Sequence, residues 1–115
     1  MYRSLAEMGE NFSLYAVCFD DLSYQIIQEL KLPGFIAISL ADFESPALLR
    51  VKPDRSTAEY CWTCTPHVIR YVLDNYELPD ITYVDADLCF FAPPSLLFSE
   101  FDRSSASVLI TEHRF

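Results

Sequence analysis

Asp85 and Asp87 stand two residues apart in the run Ile81-Thr82-Tyr83-Val84-Asp85-Ala86-Asp87-Leu88-Cys89-Phe90-Phe91. The run opens apolar and β-branched, presents two carboxylates and returns to apolar residues. A strand core has no use for such a pair, because burying an unpaired charge costs more than packing returns. At the carboxyl end of a parallel strand the pair can hold a divalent cation with hard oxygen ligands, and the cation can hold a phosphate. Holding one cation with both requires the chain to leave regular β geometry near Ala86, or one carboxylate to act through water. Magnesium and manganese accept mixed carboxylate and water shells, with room left for phosphate oxygens. The plain alternative is a pair of turn acids at a strand end.

Arg55 offers a fork of donors suited to phosphate, in a polar link just ahead of a helix, with Glu59 four residues later. Its other reading is a surface pair worth roughly 0.3–0.5 kcal/mol. Glu59, Tyr60 and Trp62 form a polar-aromatic cluster at that helix start, with Trp62 expected in the core. Asp20 and Asp21 end an earlier strand, where they meet a ribose or base, or cap the next helix. His67 reads as a helix-surface residue. His113 follows the last strand, where it contacts substrate or marks the end of the core.

The elements that must position these groups alternate. Residues 2–8 read as the last turns of a helix, with Gly9 and Asn11 as stop signals. Residues 12–19 form a near-continuous apolar run, as a buried parallel strand would. Asp21 or Ser23 can cap a helix carrying Ile26, Ile27 and Leu30 on one face, closed by Pro33-Gly34. A strand over 35–40 hands over to Asp42 and Glu44. A short helix over 46–50 leads through Lys52-Pro53-Asp54-Arg55-Ser56 to a longer one over 57–75, which Pro66 can interrupt. Val68, Ile69, Val72 and Leu73 supply its inward stripe. The acidic strand follows, then a short helix over 95–101 and a last strand over 107–111. This order predicts an α/β fold, a mostly parallel Rossmann-like sheet flanked by helices, as one domain over residues 1–115.

Composition narrows the partners. The chain has 115 residues, 51% of them apolar, enough for one small core. Lys31, Lys52 and six arginines oppose seventeen carboxylates, for a formal charge of −9. That excludes a nucleic-acid backbone as partner, since there is no basic patch to displace counterions. Any phosphate ligand needs a bound cation or one well-placed Arg. Cys61 and Cys64 form a Cys-x-x-Cys, but zinc requires four ligands and no second close pair exists. A redox pair usually opens a helix just after a strand, whereas this one falls inside a helical pattern. Cys18, Cys61, Cys64 and Cys89 are therefore expected as buried, reduced thiols, which points to a reducing, cytoplasmic compartment. No transmembrane run or targeting signal is present in the sequence.

Residues 15–21, Arg55-Ser56-Thr57-Ala58-Glu59-Tyr60-Cys61-Trp62-Thr63, Tyr83-Val84-Asp85-Ala86-Asp87-Leu88 and Ile110-Thr111-Glu112-His113-Arg114-Phe115 together resemble bacterial GT-A-type glycosyltransferases. More narrowly, they are similar to nucleotide-diphospho-sugar transferases distantly related to the glycogenin and lipopolysaccharide galactosyltransferase group. The resemblance covers nearly the whole chain. It implies a nucleoside diphosphate sugar as donor, held by Mn²⁺ or Mg²⁺. Asp85 would lie near ribose and metal, Asp87 would be the firmer metal ligand, and Arg55 with helix neighbours such as Glu59 would lie near the diphosphate or sugar. Asp20 is the candidate for the ribose or base. By this comparison the chain is expected to be the donor-binding part of a longer enzyme, truncated at both ends and inactive by itself, with its acceptor unknown.

Two other classes compete. A noncatalytic binding module would keep the metal pair and could form a homo-oligomer through exposed sheet or helix surfaces. A response-regulator-like or phosphohydrolase domain also uses strand-end acids with Mg²⁺. It wants a Lys at a later strand end, and both lysines here precede Asp87.

Overall fold

The structure, a computed structural model, describes residues 1–104 together with Val108 and Ile110. In chain order its elements are α1 (Tyr2–Ala6), β1 (Leu14–Cys18), α2 (Asp21–Leu30), β2 (Phe35–Ser39), α3 (Leu40–Phe43), α4 (Pro46–Val51), a 3₁₀ turn (Lys52–Asp54), α5 (Thr57–Tyr76) and α6 (Ser95–Ser104). The chain is α/β. It divides into two compact units, one spanning Phe12–Val84 and the other combining Met1–Asn11 with the chain from Asp85 onward.

In the Phe12–Val84 unit, β1 and β2 pair in parallel, with Leu14 beside Phe35 and Cys18 beside Ser39. Parallel neighbours need a crossover between them, and α2 supplies it. The helix starts where Asp20 takes an extended conformation and its carboxylate accepts from the Ser23 amide. It stops at Lys31, whose backbone is left-handed at φ 46°. Gly34 then turns into β2 with φ 70°, and its carbonyl accepts from the Leu14 amide at 2.7 Å. That bond fixes where the two strands begin relative to one another.

The core of this unit is Ile38, Phe43, Leu48, Tyr60, Cys64 and Val72, with Tyr15, Val17, Val68, Tyr71 and Ile81 packed against it. Three of the six lie on α5, at the spacing that places Tyr60, Cys64, Val68 and Val72 along one side of a helix. Pro66 sits inside α5 without ending it, on the exposed side. A Ser56–Glu59 capping box fixes the start of α5.

In the other unit, Leu5 of α1 is buried. The Ser4 hydroxyl oxygen accepts from the Phe90 amide at 3.0 Å, and the Glu10 carboxylate accepts from both the amide and the hydroxyl of Ser95 at the start of α6. These bonds tie the chain after Asp87 to the N-terminal residues.

Several expectations are corrected. Residues 81–91 form no strand, and among the described residues the sheet consists of β1 and β2. Apolar β-branched sequence secures burial of Ile81 against the core, but a strand exists only by pairing. Trp62 is 73% exposed rather than in the core, because it lies about half a turn around α5 from Tyr60. On α2, Ile26 and Leu30 face solvent and only Ile27 of the expected stripe is half-buried. The cap of α2 is Asp20, as the capping reading of that acid had it, rather than Asp21 or Ser23. Cys89 is exposed, whereas Cys18 and Cys64 are buried and Cys61 half-buried; none is in a disulfide. The expected final strand over 107–111, like His113, falls largely on positions outside the described residues. Val108 and Ile110 are exposed and have no regular secondary structure.

A side chain at Gly34 would meet the Phe12 carbonyl oxygen at 2.5 Å, on top of the strain of a positive φ. At Gly9 the φ is also positive, at 72°, but nothing lies within 4 Å. Gly34→Ala is therefore expected to lower unfolding stability by more than the roughly 1–2 kcal/mol of left-handed strain, and Gly9→Ala by about that strain alone. Urea midpoints of the two variants check the order; equal losses would contradict it.

Candidate metal turn and phosphate loop

Asp85 and Asp87 lie on a tight turn rather than on a strand. The chain bends at Ala86–Asp87, and the Leu88 amide donates to the Asp85 carbonyl at 3.3 Å. In a regular strand these two residues would share a face about 6.6 Å apart along the chain. Here both stand at positions exposed to solvent. Proline residues at 93 and 94 and the Ser4–Phe90 bond hold the segment after it.

Among the described residues no group of three or more His, Cys, Asp or Glu is placed to hold a metal. The turn thus offers two carboxylates and no third protein ligand from that set. Such a donor set suits Mg²⁺ or Mn²⁺, whose shells are completed by water and phosphate oxygens, and does not suit a closed four-ligand zinc site.

Arg55, Glu59 and Asp20 belong to the Phe12–Val84 unit. Arg55 is exposed and extended (φ −128°, ψ 143°), between the 3₁₀ turn and the Ser56 cap of α5. The Glu59 carboxylate accepts from the Ser56 amide at 2.9 Å and from its hydroxyl at 2.6 Å. Those bonds hold its carboxyl below the ordinary range against a small opposing effect of burial, with the Arg55 charge assisting. Asp20 is occupied likewise: its two oxygens accept from the Ser23 amide and hydroxyl, each at 2.7 Å, and its pKa is lowered by them. Both acids therefore serve as helix caps, and of the three only Arg55 keeps its charged atoms clear of a cap.

The residue that sequence reasoning passed over is Glu44. It was visible only as an acid after β2. One of its oxygens, Oε1, accepts from Lys52 Nζ and from the Tyr60 hydroxyl, each at 2.6 Å, and its side chain is 10% exposed. Lys52 Nζ also lies 5.2 Å from the centre of the Tyr60 ring. Burial alone would push the Glu44 carboxyl up. The Lys52 and Tyr60 hydrogen bonds and the Lys52 charge outweigh it and leave the group below its usual value. Burial and the neighbouring carboxylate push the Tyr60 phenol well up, so it stays a donor. A signal existed in the sequence, since one of only two lysines sits eight residues after this acid and a tyrosine sixteen after it. Nothing in that spacing identifies a bridge across three elements.

An open cleft of about 280 Å³ is lined by Ile27, Gln28, Lys31, Leu32, Phe35 and Ile36, among others, at the amino end of β2. It is lined by none of the candidate site residues Asp20, Arg55, Glu59, Asp85 and Asp87. His67 is exposed on α5, as expected. Trp62 shares the solvent side of that helix.

No family model matches the chain, and no solved structure does. It is 33% identical over 112 residues to the uncharacterized protein YfnF of Bacillus subtilis (strain 168), an alignment that takes in 96% of this chain and 36% of that protein. It is also 33% identical over 115 residues to the uncharacterized protein YfnD of the same organism, covering 99% of the chain and 36% of the relative. The chain thus spans about a third of the length of these curated relatives. No helix among the described residues is long and apolar enough to cross a membrane.

The lowered Glu44 pKa carries a sign. A carboxyl depressed on folding stabilises the native state above its unfolded value, near 4.5, and that contribution is lost as pH falls through the folded value. Stability of the native chain is expected to fall steeply below about pH 4.5, and less steeply in Glu44→Gln. Urea midpoints from pH 7 to pH 3 check this; parallel curves for the two proteins would contradict it.

Proposed function

We propose that this chain is the donor-binding part of a metal-dependent glycosyltransferase of the GT-A type, moving a sugar from a nucleoside diphosphate to an acceptor hydroxyl. One observation carries the reading: Asp85 and Asp87 occupy one solvent-open turn, closed by the Leu88 amide on the Asp85 carbonyl at 3.3 Å. Two hard oxygen donors on a turn, after an apolar approach segment, suit a cation that must leave sites for phosphate oxygens. The resemblance of the Arg55–Thr63 and Tyr83–Leu88 segments to such enzymes adds to it.

In this reading Asp85 and Asp87 hold Mn²⁺ or Mg²⁺, with Asp87 as the firmer ligand. When bound, the ion supplies Lewis-acid neutralisation of the charge that develops on the departing diphosphate. Arg55, exposed in the Phe12–Val84 unit, carries a planar fork of donors of the kind that matches phosphate oxygens. During transfer the bond from the anomeric carbon to the diphosphate oxygen breaks, a bond to the acceptor oxygen forms, and the hydroxyl proton leaves. No side chain here is assigned to take that proton. The chain alone is accordingly a binder with little or no turnover.

A second reading has its own observation. Leu22, Ile26 and Leu30 of α2 are each 47% exposed or more, and so are Leu96, Leu97 and Phe98 of α6. Such faces suit a noncatalytic or self-associating module. Sedimentation equilibrium separates the readings on this point: a dimer dispersed by Ile26→Glu supports the second, and a monomer at all concentrations removes it.

The donor reading is tested by calorimetric titration of UDP in the presence of Mn²⁺. Binding is expected to require the metal and to weaken on the order of tenfold or more in Asp87→Ala, while Asp80→Ala, an exposed acid outside the turn, binds as the native chain does. Metal-independent binding, or equal affinity in Asp87→Ala, would overturn the assignment.

A further inference from the structure

β2 has an open edge. The Leu14 amide donates to the Gly34 carbonyl, which fixes the parity of the parallel ladder. Ile36 and Ile38 turn their amides and carbonyls toward β1, and Ala37 turns both of its own away. Among the described residues no hydrogen bond reaches that outward pair on Ala37. The open cleft of about 280 Å³ lies here, lined by three consecutive strand residues, Phe35, Ile36 and Ala37. Successive strand side chains point to opposite faces, so a cleft that touches all three runs along the strand's edge. Ile27 and Gln28 of α2, with Lys31 at the helix end, form its other wall.

The edge carries nothing that forbids pairing. Phe35–Ser39 holds no charged residue and no proline, the usual means of keeping bare edges apart. It is also complementary to itself. In an antiparallel pair centred on Ala37, the amide and carbonyl of one Ala37 meet the carbonyl and amide of the other. In that register Leu32 stands opposite the second copy's Asp42, so Lys31 at the mouth of the cleft comes beside an opposite charge. Lys31 is in no ion pair among the described residues, and both Lys31 and Asp42 are exposed.

We propose that two copies of this chain associate by adding β2 to β2, antiparallel about Ala37, so that one sheet continues across the pair. The cleft is then the seat of a second copy's strand, with main-chain hydrogen bonds supplying affinity and the Lys31–Asp42 pairs supplying register. This needs neither a bound metal nor the exposed faces of α2 and α6, so it stands apart from both readings above. One five-residue strand is a small interface, and the association is accordingly weak and concentration-dependent.

The test combines sedimentation equilibrium with amide hydrogen exchange on the whole chain. A monomer–dimer equilibrium is expected. The Ala37 amide, open in the monomer, should exchange roughly tenfold or more slowly in concentrated than in dilute protein. Ala37→Pro removes the outward amide while leaving the ladder to β1 intact, and should abolish the dimer. Lys31→Glu should weaken association, and Lys31→Glu combined with Asp42→Lys should restore it. Ile26→Glu, on the outer side of α2, should leave the dimer in place. A monomer at every concentration overturns the proposal, even where an added extended peptide occupies the cleft instead. So does an Ala37 amide that exchanges equally fast in dilute and concentrated native chain, a result that needs no variant to fold. A dimer that survives Ala37→Pro, or that Ile26→Glu disperses, is held by other surfaces and also overturns it. If the charge swap fails to restore what Lys31→Glu loses, the register about Ala37 is wrong and the proposal falls with it.

Discussion

The described residues form a sheet of two strands, which cannot bury its own faces, and the Phe12–Val84 unit is organised around that constraint. β1 and β2 contribute only one fully buried residue each, Cys18 and Ile38. The remaining enclosure comes from α5, whose Tyr60, Cys64 and Val72 supply half of the core cluster, and from Phe43 and Leu48 on the two short helices before it. Removing water from these apolar surfaces is the dominant favourable term. Because α5 must lie along the sheet for this to happen, its N-terminus is fixed, and with it the loop that carries Arg55. The packing of Phe43 against Tyr71, with ring centres 5.7 Å apart, and of Tyr15 against Tyr76 at 4.6 Å secures the far end of the same helix.

The polar features follow from that arrangement. Tyr60 is 4% exposed, so its hydroxyl requires an acceptor, and Glu44 provides it. Glu44 in turn requires a cation, since a carboxylate largely withdrawn from water is costly without one. Lys52 meets that demand from the surface, keeping part of its stem in solvent. Apolar packing thus dictates a hydrogen bond, the hydrogen bond dictates an ion pair, and the ion pair fixes a surface loop.

Elements that depend on local signals were legible in the sequence. β1, β2 and α5 fall where apolar runs, capping residues and the Pro33-Gly34 turn place them. Features that depend on partners were not. Residues 81–84 carry strand-like residues, yet pairing is a property of the neighbour, so the sequence pattern alone could not distinguish a strand from an irregular segment docked through Ile81. Trp62 shows the same limit from the other side: its bulk suggests a core position, and only the angular register of α5 reveals that it faces outward. Asp20 and Glu59 carry the types of residue a ribose or phosphate site uses, but short-range amide donors claim them first. The Glu44 bridge spans sixteen residues to Tyr60 and has no local pattern.

The central claim, that the Asp85–Asp87 turn is a cation site, is tested most directly by paramagnetic broadening of backbone amide signals on adding substoichiometric Mn²⁺. The amides of Ala86, Asp87 and Leu88 should disappear first, and should persist in Asp87→Ala at the same Mn²⁺ concentration. Broadening that spreads evenly over the exposed acids of the chain, or that centres on another acid while these three amides stay sharp, would contradict the account.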